Sequence, residues 1–217
     1  MDISIELPDV KLGVLEAEDV RVAPADAALA GEMDAACERL RREQTLETLM
    51  ETPSVRAVRA MFRAWQVDAA RYRPSSEALL RRVVQGKGLY RVSNVVDINN
   101  LGSIEAGWPF GSYARAEIAP PAAFRHGLPG EKYEGIGKRT WHLEGQPVLA
   151  DQRGPFGSPI SDSERTKVTE ATRGVLFIVY APAGSGTADL DLALAQLARR
   201  LERFTGARIP FTGVIAP

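Results

Sequence analysis

The chain has 217 residues, 45% of them hydrophobic and 25% charged, with a net charge of -1, the make-up of a folded protein of one or two domains that can bury a core without covalent staples. One cysteine, Cys37, excludes an internal disulfide and a cysteine zinc site, and two histidines, His126 and His142, exclude a histidine-rich metal cluster. The acidic start, Met1-Asp2-Ile3-Ser4-Ile5-Glu6, lacks the blocks of a secretory signal, and the longest apolar run, Val175 to Ala181, falls far short of a membrane helix, so a cytoplasmic protein is expected.

Residues 3 to 22 alternate apolar and polar positions, which predicts short strands ending at Pro24. From Ala25 to about Gln44 the chain is rich in Ala, Leu, Glu and Arg without proline, which predicts a helix whose first turn is weakened by Gly31. A second helix is marked by Thr52 as its cap and Pro53 at its first position, and should run to about Asp68. Val55, Val58, Phe62 and Trp65 then form a core stripe, while Arg56, Arg59 and Arg63 line another. A third helix follows Pro74, with Leu79, Leu80, Val83 and Val84 turned inward, and Gly86 and Gly88 end it. These helices should form an N-terminal helical layer.

Charge concentrates along this stretch. Residues 1 to 55 hold 5 basic and 13 acidic residues, residues 56 to 91 hold 9 and 2, and the remainder hold 13 of each. A basic segment of this kind fits a nucleic-acid footprint, or else a solvated helix face that pairs with the acidic N-terminal segment.

From Leu89 to Ala181 short apolar stretches broken by Gly, Pro, Asn and Asp predict mostly β structure. Val95-Val96-Asp97-Ile98-Asn99-Asn100 reads as an apolar strand ending in polar side chains able to hold a small ligand, and Gly154 to Thr166 as a long polar loop. Val175 to Tyr180 reads as a strand buried on both faces, at the centre of the sheet. Gly184-Ser185-Gly186-Thr187 is a turn, since it lacks the Gly-Lys-Ser/Thr ending of a phosphate loop. Leu190, Leu194, Leu197, Leu201 and Phe204 recur at helical spacing up to Gly206, predicting a helix over a sheet face, and residues 207 to 214 a final strand. No Gly-x-Ser-x-Gly elbow accompanies His126 or His142, which read as structural or exposed, and Trp65, Trp108 and Trp141 read as packing.

The order Arg73-Pro74-Ser75-Ser76-Glu77, Gly88 to Asn100, Gly107-Trp108-Pro109-Phe110-Gly111-Ser112-Tyr113, Val148-Leu149-Ala150-Asp151 and Glu164 to Thr172 resembles the B3/B4 tRNA-binding (editing) domain of the phenylalanyl-tRNA synthetase beta subunit. The resemblance covers residues 70 to 181. It implies a single domain over 1–217, made of an N-terminal strand and helical extension (1–69) and an editing-like core (70–217). The fold implied is α+β, a three-layer ββα sandwich with the site in a cleft of the sheet, and no cofactor or metal is implied.

In that family the domain hydrolyses tyrosine wrongly attached to phenylalanine tRNA. By position, Asn99 falls on a family threonine and Asn100 on the site asparagine. Glu164 falls on the glutamate that reads the tyrosine hydroxyl, and Asp151 on the position whose backbone N–H lies beside it. Gly111 stands where the family has its site histidine, and Ala114 where it has an aspartate. The resemblance thus implies a trans-acting deacylase, in which Asn100 and neighbouring backbone groups hold ester and water while a buried Glu164 reads the side chain. The alternative for Glu164 is a structural ion pair with Arg165 or Arg173. Arg71, Arg73, Arg81 and Arg82 are expected to hold tRNA phosphates. A second reading is a module that binds tRNA, or a free aromatic amino acid, without hydrolysis, and a third is a helper subunit acting through the acidic N-terminal helix.

Overall fold

A computed structural model describes residues 2–216. The chain order is β1 (Ile3–Ile5), β2 (Val10–Glu18), α1 (Ala27–Glu43), α2 (Leu46–Glu51), α3 (Pro53–Ala64), α4 (Ser75–Val84), α5 (Asn94–Ala106), β3 (Phe110–Ala114), β4 (Ala122–His126), β5 (Lys132–Gly135), β6 (Arg139–His142), β7 (Pro147–Asp151), β8 (Gly154–Gly157), β9 (Val175–Pro182), α6 (Thr187–Thr205) and β10 (Arg208–Ile215). The expected α+β class holds.

One four-stranded sheet has the order β10-β2-β9-β3, every neighbouring pair antiparallel, and the other the order β1-β4-β7-β8. The N-terminal residues are therefore part of both sheets: β2 runs between β10 and β9, and β1 pairs with β4. Every residue of β9 is buried, as its run of β-branched and aromatic residues predicts. Alternation sends Gly13, Val179 and Phe110 to the face that α5 and α6 cover, where Leu190 and Leu194 of α6 lie against Gly13 and the Phe110 ring lies against Gly102 of α5. The opposite face meets the second sheet through an aromatic layer. Tyr113 packs edge-on to Phe156, Tyr180 against Phe124, and Phe124 against Trp65.

Two helices lie where none is predicted. Residues 94–106 form α5 instead of a strand, because Ser93 caps the free Val96 N–H and Gly107 takes the left-handed φ of 72° that closes the last turn. Val95, Ile98 and Leu101 are wholly buried at a spacing of three, a helical period that the β-branched pair Val95-Val96 obscures. The short α2 arises from a reciprocal cap in which Thr45 and Thr48 satisfy each other's backbone N–H groups.

Boundaries also shift. The helix after Pro53 stops at Ala64, and Thr52 at its cap position makes no capping bond, its hydroxyl donating to the Leu49 carbonyl of α2 instead. Within the expected loop of 154–166, Gly154–Gly157 pairs with β7 as β8.

Candidate functional site

The polar run that opens α5 is held by the fold. Asn94 accepts from the N–H groups of Ala23 and Val95 and donates to the carbonyls of Arg21 and Phe204, so it ties α5 to the N-terminal segment and the end of α6. Asp97 Oδ1 accepts from the Val92 N–H at 2.9 Å, while Oδ2 is buried without a partner. Burial pushes its carboxyl up, against the Val92 N–H and the Arg91 charge. Asn99 is 7% exposed, donates to the Phe110 carbonyl at 3.4 Å, and has a buried Oδ1 without a partner. Asn100, half-buried, makes no side-chain hydrogen bond among the described residues.

Gly111 lies on β3 with its hydrogen turned toward the second sheet, the face opposite α5. A β-carbon there would overlap the Tyr113 hydroxyl, and one at Gly157 of β8 would overlap the same ring. The phenol of Tyr113 therefore fills the space that a side chain at Gly111 would need. It is held firmly. Tyr113 Oη donates to Asp162 Oδ1 at 2.8 Å and lies 2.9 Å from Tyr180 Oη, and Ser158 N–H also points at Asp162 Oδ1, at 3.3 Å. Desolvation raises the Asp162 carboxyl to about 7 in spite of these donors, and burial raises the phenols of Tyr113 and Tyr180 above their ordinary range. Tyr133 extends the cluster by donating to the Ser161 carbonyl, with Ser158 Oγ 3.3 Å from its hydroxyl. Asp162 and the tyrosine cluster were invisible to sequence reasoning, since they come from β3, β5, β9 and a loop; the one available signal was an acid two residues before Glu164.

Glu164 is not the buried acid that was expected. It lies in a single 3-10 turn, Glu164–Thr166, pairs with Lys167 and accepts from the Gly137 N–H at 3.4 Å, and the Lys167 ammonium holds its carboxyl below the usual range. The expected alternative partners are also displaced, because Arg165 goes to Asp151 and Arg173 to the carbonyls of Glu170 and Thr172. The Asp151 carboxylate is buried, accepting from Arg165 at 3.0 Å and from the N–H groups of Ala119 and Arg153 at 2.8 Å each. Burial alone would raise its pKa, but the Arg165 guanidinium and these N–H groups outweigh it and hold the carboxyl low. The structure thus places Asn99 and Asn100 on α5, on one side of the β3-bearing sheet, and the Gly111 hydrogen, Asp151 and Glu164 on the side of the second sheet. A cleft of about 720 Å³ between the starts of α3 and α6 and the end of α5 contains none of the five.

The basic segment is arranged around one carboxylate. Glu77, 2% exposed, accepts both guanidinium arms of Arg59 at 2.8 and 2.9 Å, with Arg73 at 3.5 Å and Arg81 at 4.0 Å. Arg81 also reaches Met50 Sδ, Arg71 lies over the Tyr72 ring, and the Arg82 guanidinium lies 3.9 Å from the centre of the Tyr90 ring. No ion pair joins Arg71 or Arg82 to an acid among the described residues. The expected pairing with the acidic N-terminal segment is thus confined to Arg56 with Glu51 and Arg91 with Asp34, and three arginines converge on one acid.

Among the described residues no helix is long and apolar enough to cross a membrane, and no group of three His, Cys, Asp or Glu could hold a metal. The family model of the B3/4 domain matches residues 57–205, more than half of the chain. The chain belongs to the B3/4 domain family. No curated protein matches it. Among solved structures it is similar to an N-terminal fragment of the phenylalanyl-tRNA synthetase beta subunit from Pyrococcus horikoshii, at 16% identity and a TM-score of 0.49 over all of this chain. It spans 55% of that fragment. In this B3/4 domain the matched span runs from α3 to the last turn of α6, so it takes in the arginine cluster, α5 and the tyrosine cluster.

Proposed function

We propose that this B3/4 domain is a tRNA-binding module that holds charged tRNA through the basic face of α3 and α4 and does not hydrolyse the ester. The observation that carries the reading is the excess of cations around Glu77: one carboxylate fixes Arg59, Arg73 and Arg81, and leaves net positive charge beside Arg71 and Arg82, which pair with no acid among the described residues. Fixed guanidinium groups present rigid donor forks to phosphate oxygens at little further entropic cost. The likeness to a synthetase beta subunit in sequence motifs supports tRNA as the polymer.

The deacylase reading needs an open pocket beside Gly111, a water held by Asn100 and a glutamate turned inward. Tyr113 fills the space beside Gly111, the sheet separates Asn100 from that space, and Glu164 is partly exposed and paired with Lys167. Binding without hydrolysis is the reading this geometry favours. Titration of tRNA into the protein between about 50 and 200 mM salt tests it. Log affinity should fall linearly with log salt, and Arg71→Gln, Arg73→Gln and Arg82→Gln should each reduce the slope by roughly 0.7 to 0.9. A flat salt response, or three variants that match wild type, would remove the proposal.

A further inference from the structure

Between α4 and α5 the chain makes a short surface loop whose composition is unusual for one. Leu89 is buried and anchors it, while its neighbour Tyr90 is 52% exposed and Val92 is 63% exposed. The Tyr90 ring is backed by a cation, since Arg82, in the last turn of α4, sets its guanidinium carbon 3.9 Å from the ring centre. Arg82 has a further peculiarity. Its Nε is buried and has no hydrogen-bond partner, and none of its side-chain nitrogens donates to the protein among the described residues. A guanidinium that is partly withdrawn from water and left without an acceptor is costly, unless an anion from outside completes it. Lys87, exposed on the same loop, adds a second cation without an acid partner among the described residues.

We infer that Tyr90 and Arg82 form a stacking site for an unpaired nucleotide of the bound RNA, which rests on the tRNA-binding reading and names the part of the RNA the surface takes. The Tyr90 ring offers its exposed face to a base, its other face is held by Arg82, and the free guanidinium donors of Arg82 together with Lys87 take the phosphate of that nucleotide or its neighbour. Every base has a π-face, so the contact is tolerant of sequence. A base inside a duplex has both faces covered by its neighbours, so the site selects single-stranded segments, ends or loops over double-stranded ones. Charge complementarity favours a polyanion over a protein segment here, because the ring stands beside the cations of Arg82 and Lys87.

The test uses the full chain and two fluorescently labelled probes, a short oligoadenylate and a blunt RNA duplex of the same charge, followed by anisotropy for wild type, Tyr90→Ala and Tyr90→Phe. Base–aromatic stacking predicts that Tyr90→Ala weakens oligoadenylate binding about tenfold, with duplex binding and salt slope unchanged, and that Tyr90→Phe keeps wild-type affinity. Thermal melting of each variant confirms that this exposed position leaves the fold intact. If Tyr90→Ala binds oligoadenylate as tightly as wild type, or loses both probes equally, the stacking site is overturned while salt-sensitive tRNA binding stands. A wild-type protein that binds neither probe nor tRNA at low salt would overturn this inference and the reading beneath it together.

Discussion

At the scale of single residues, the feature that most changes the functional reading is the Tyr113 phenol. It occupies the interior between the sheets with Gly111 and Gly157 on its flanks, and Asp162 and Tyr180 take its hydroxyl. The carboxyl of Asp162 carries a cost that can be read out. Its pKa is raised from 3.8 to about 7, so the folded state holds the proton more tightly than the unfolded chain. The stabilisation linked to that proton is full below the unfolded value near 4, and is lost as pH rises through about 7. Asp162→Asn keeps an oxygen that can accept from Tyr113 and Ser158 and has no proton to lose. The melting temperature of Asp162→Asn should therefore gain on wild type steadily between pH 5 and 8. Parallel curves across that range would show that Asp162 does not titrate there.

At the scale of elements, α3 and α4 are joined by an acid that α4 contributes and arginines that both contribute. The Glu77 hydrogen bonds raise the Arg59 pKa against its own desolvation. Removing a buried partner leaves cations facing one another, so Glu77→Gln should cost on the order of 2 to 3 kcal/mol in urea unfolding, below the fully buried range because Arg59 keeps some contact with water. The same variant should bind tRNA more tightly at low salt, having lost one negative charge from the face. Unchanged stability would mean that Glu77 is not the centre of the cluster.

The elements differ in how far their residues announce them. The helices after Pro24, Pro53 and Pro74 are legible because a proline marks each start and helix-forming residues or an apolar stripe at helical spacing follow it, and β9 and α6 are legible because their apolar patterns are long. α5 is not, since its buried polar residues break the stripe and Val95-Val96 favours a strand. Its start is tied down by Asn94, which bonds to Arg21 and Phe204, partners distant in the chain that local pattern does not reveal. Charge density marks the basic segment 56–91, and the arginines at 71, 73, 81 and 82 follow from the tRNA-binding resemblance, whereas Glu77, the acid that holds Arg59, Arg73 and Arg81, passes for one surface residue of a helix. Glu164 shows the converse, because a motif position conveys identity and spacing but not whether a side chain turns inward.

At the scale of the whole molecule, both sheets draw strands from the N-terminal residues and from the B3/4 span, and they enclose an aromatic layer where a substrate pocket would have to open. The helices α3 and α4 bring a basic face to the surface. Under the proposed function the molecule holds a polyanion on its outside while its interior stays closed. The direct test is to incubate purified protein with a panel of correctly and incorrectly charged tRNAs, beginning with tyrosine on phenylalanine tRNA, and to follow binding and ester loss in the same samples. The expected result is salt-sensitive binding with ester loss no faster than in buffer. Ester loss faster than buffer that disappears in Asn100→Ala or Glu164→Ala would contradict it and establish a hydrolase.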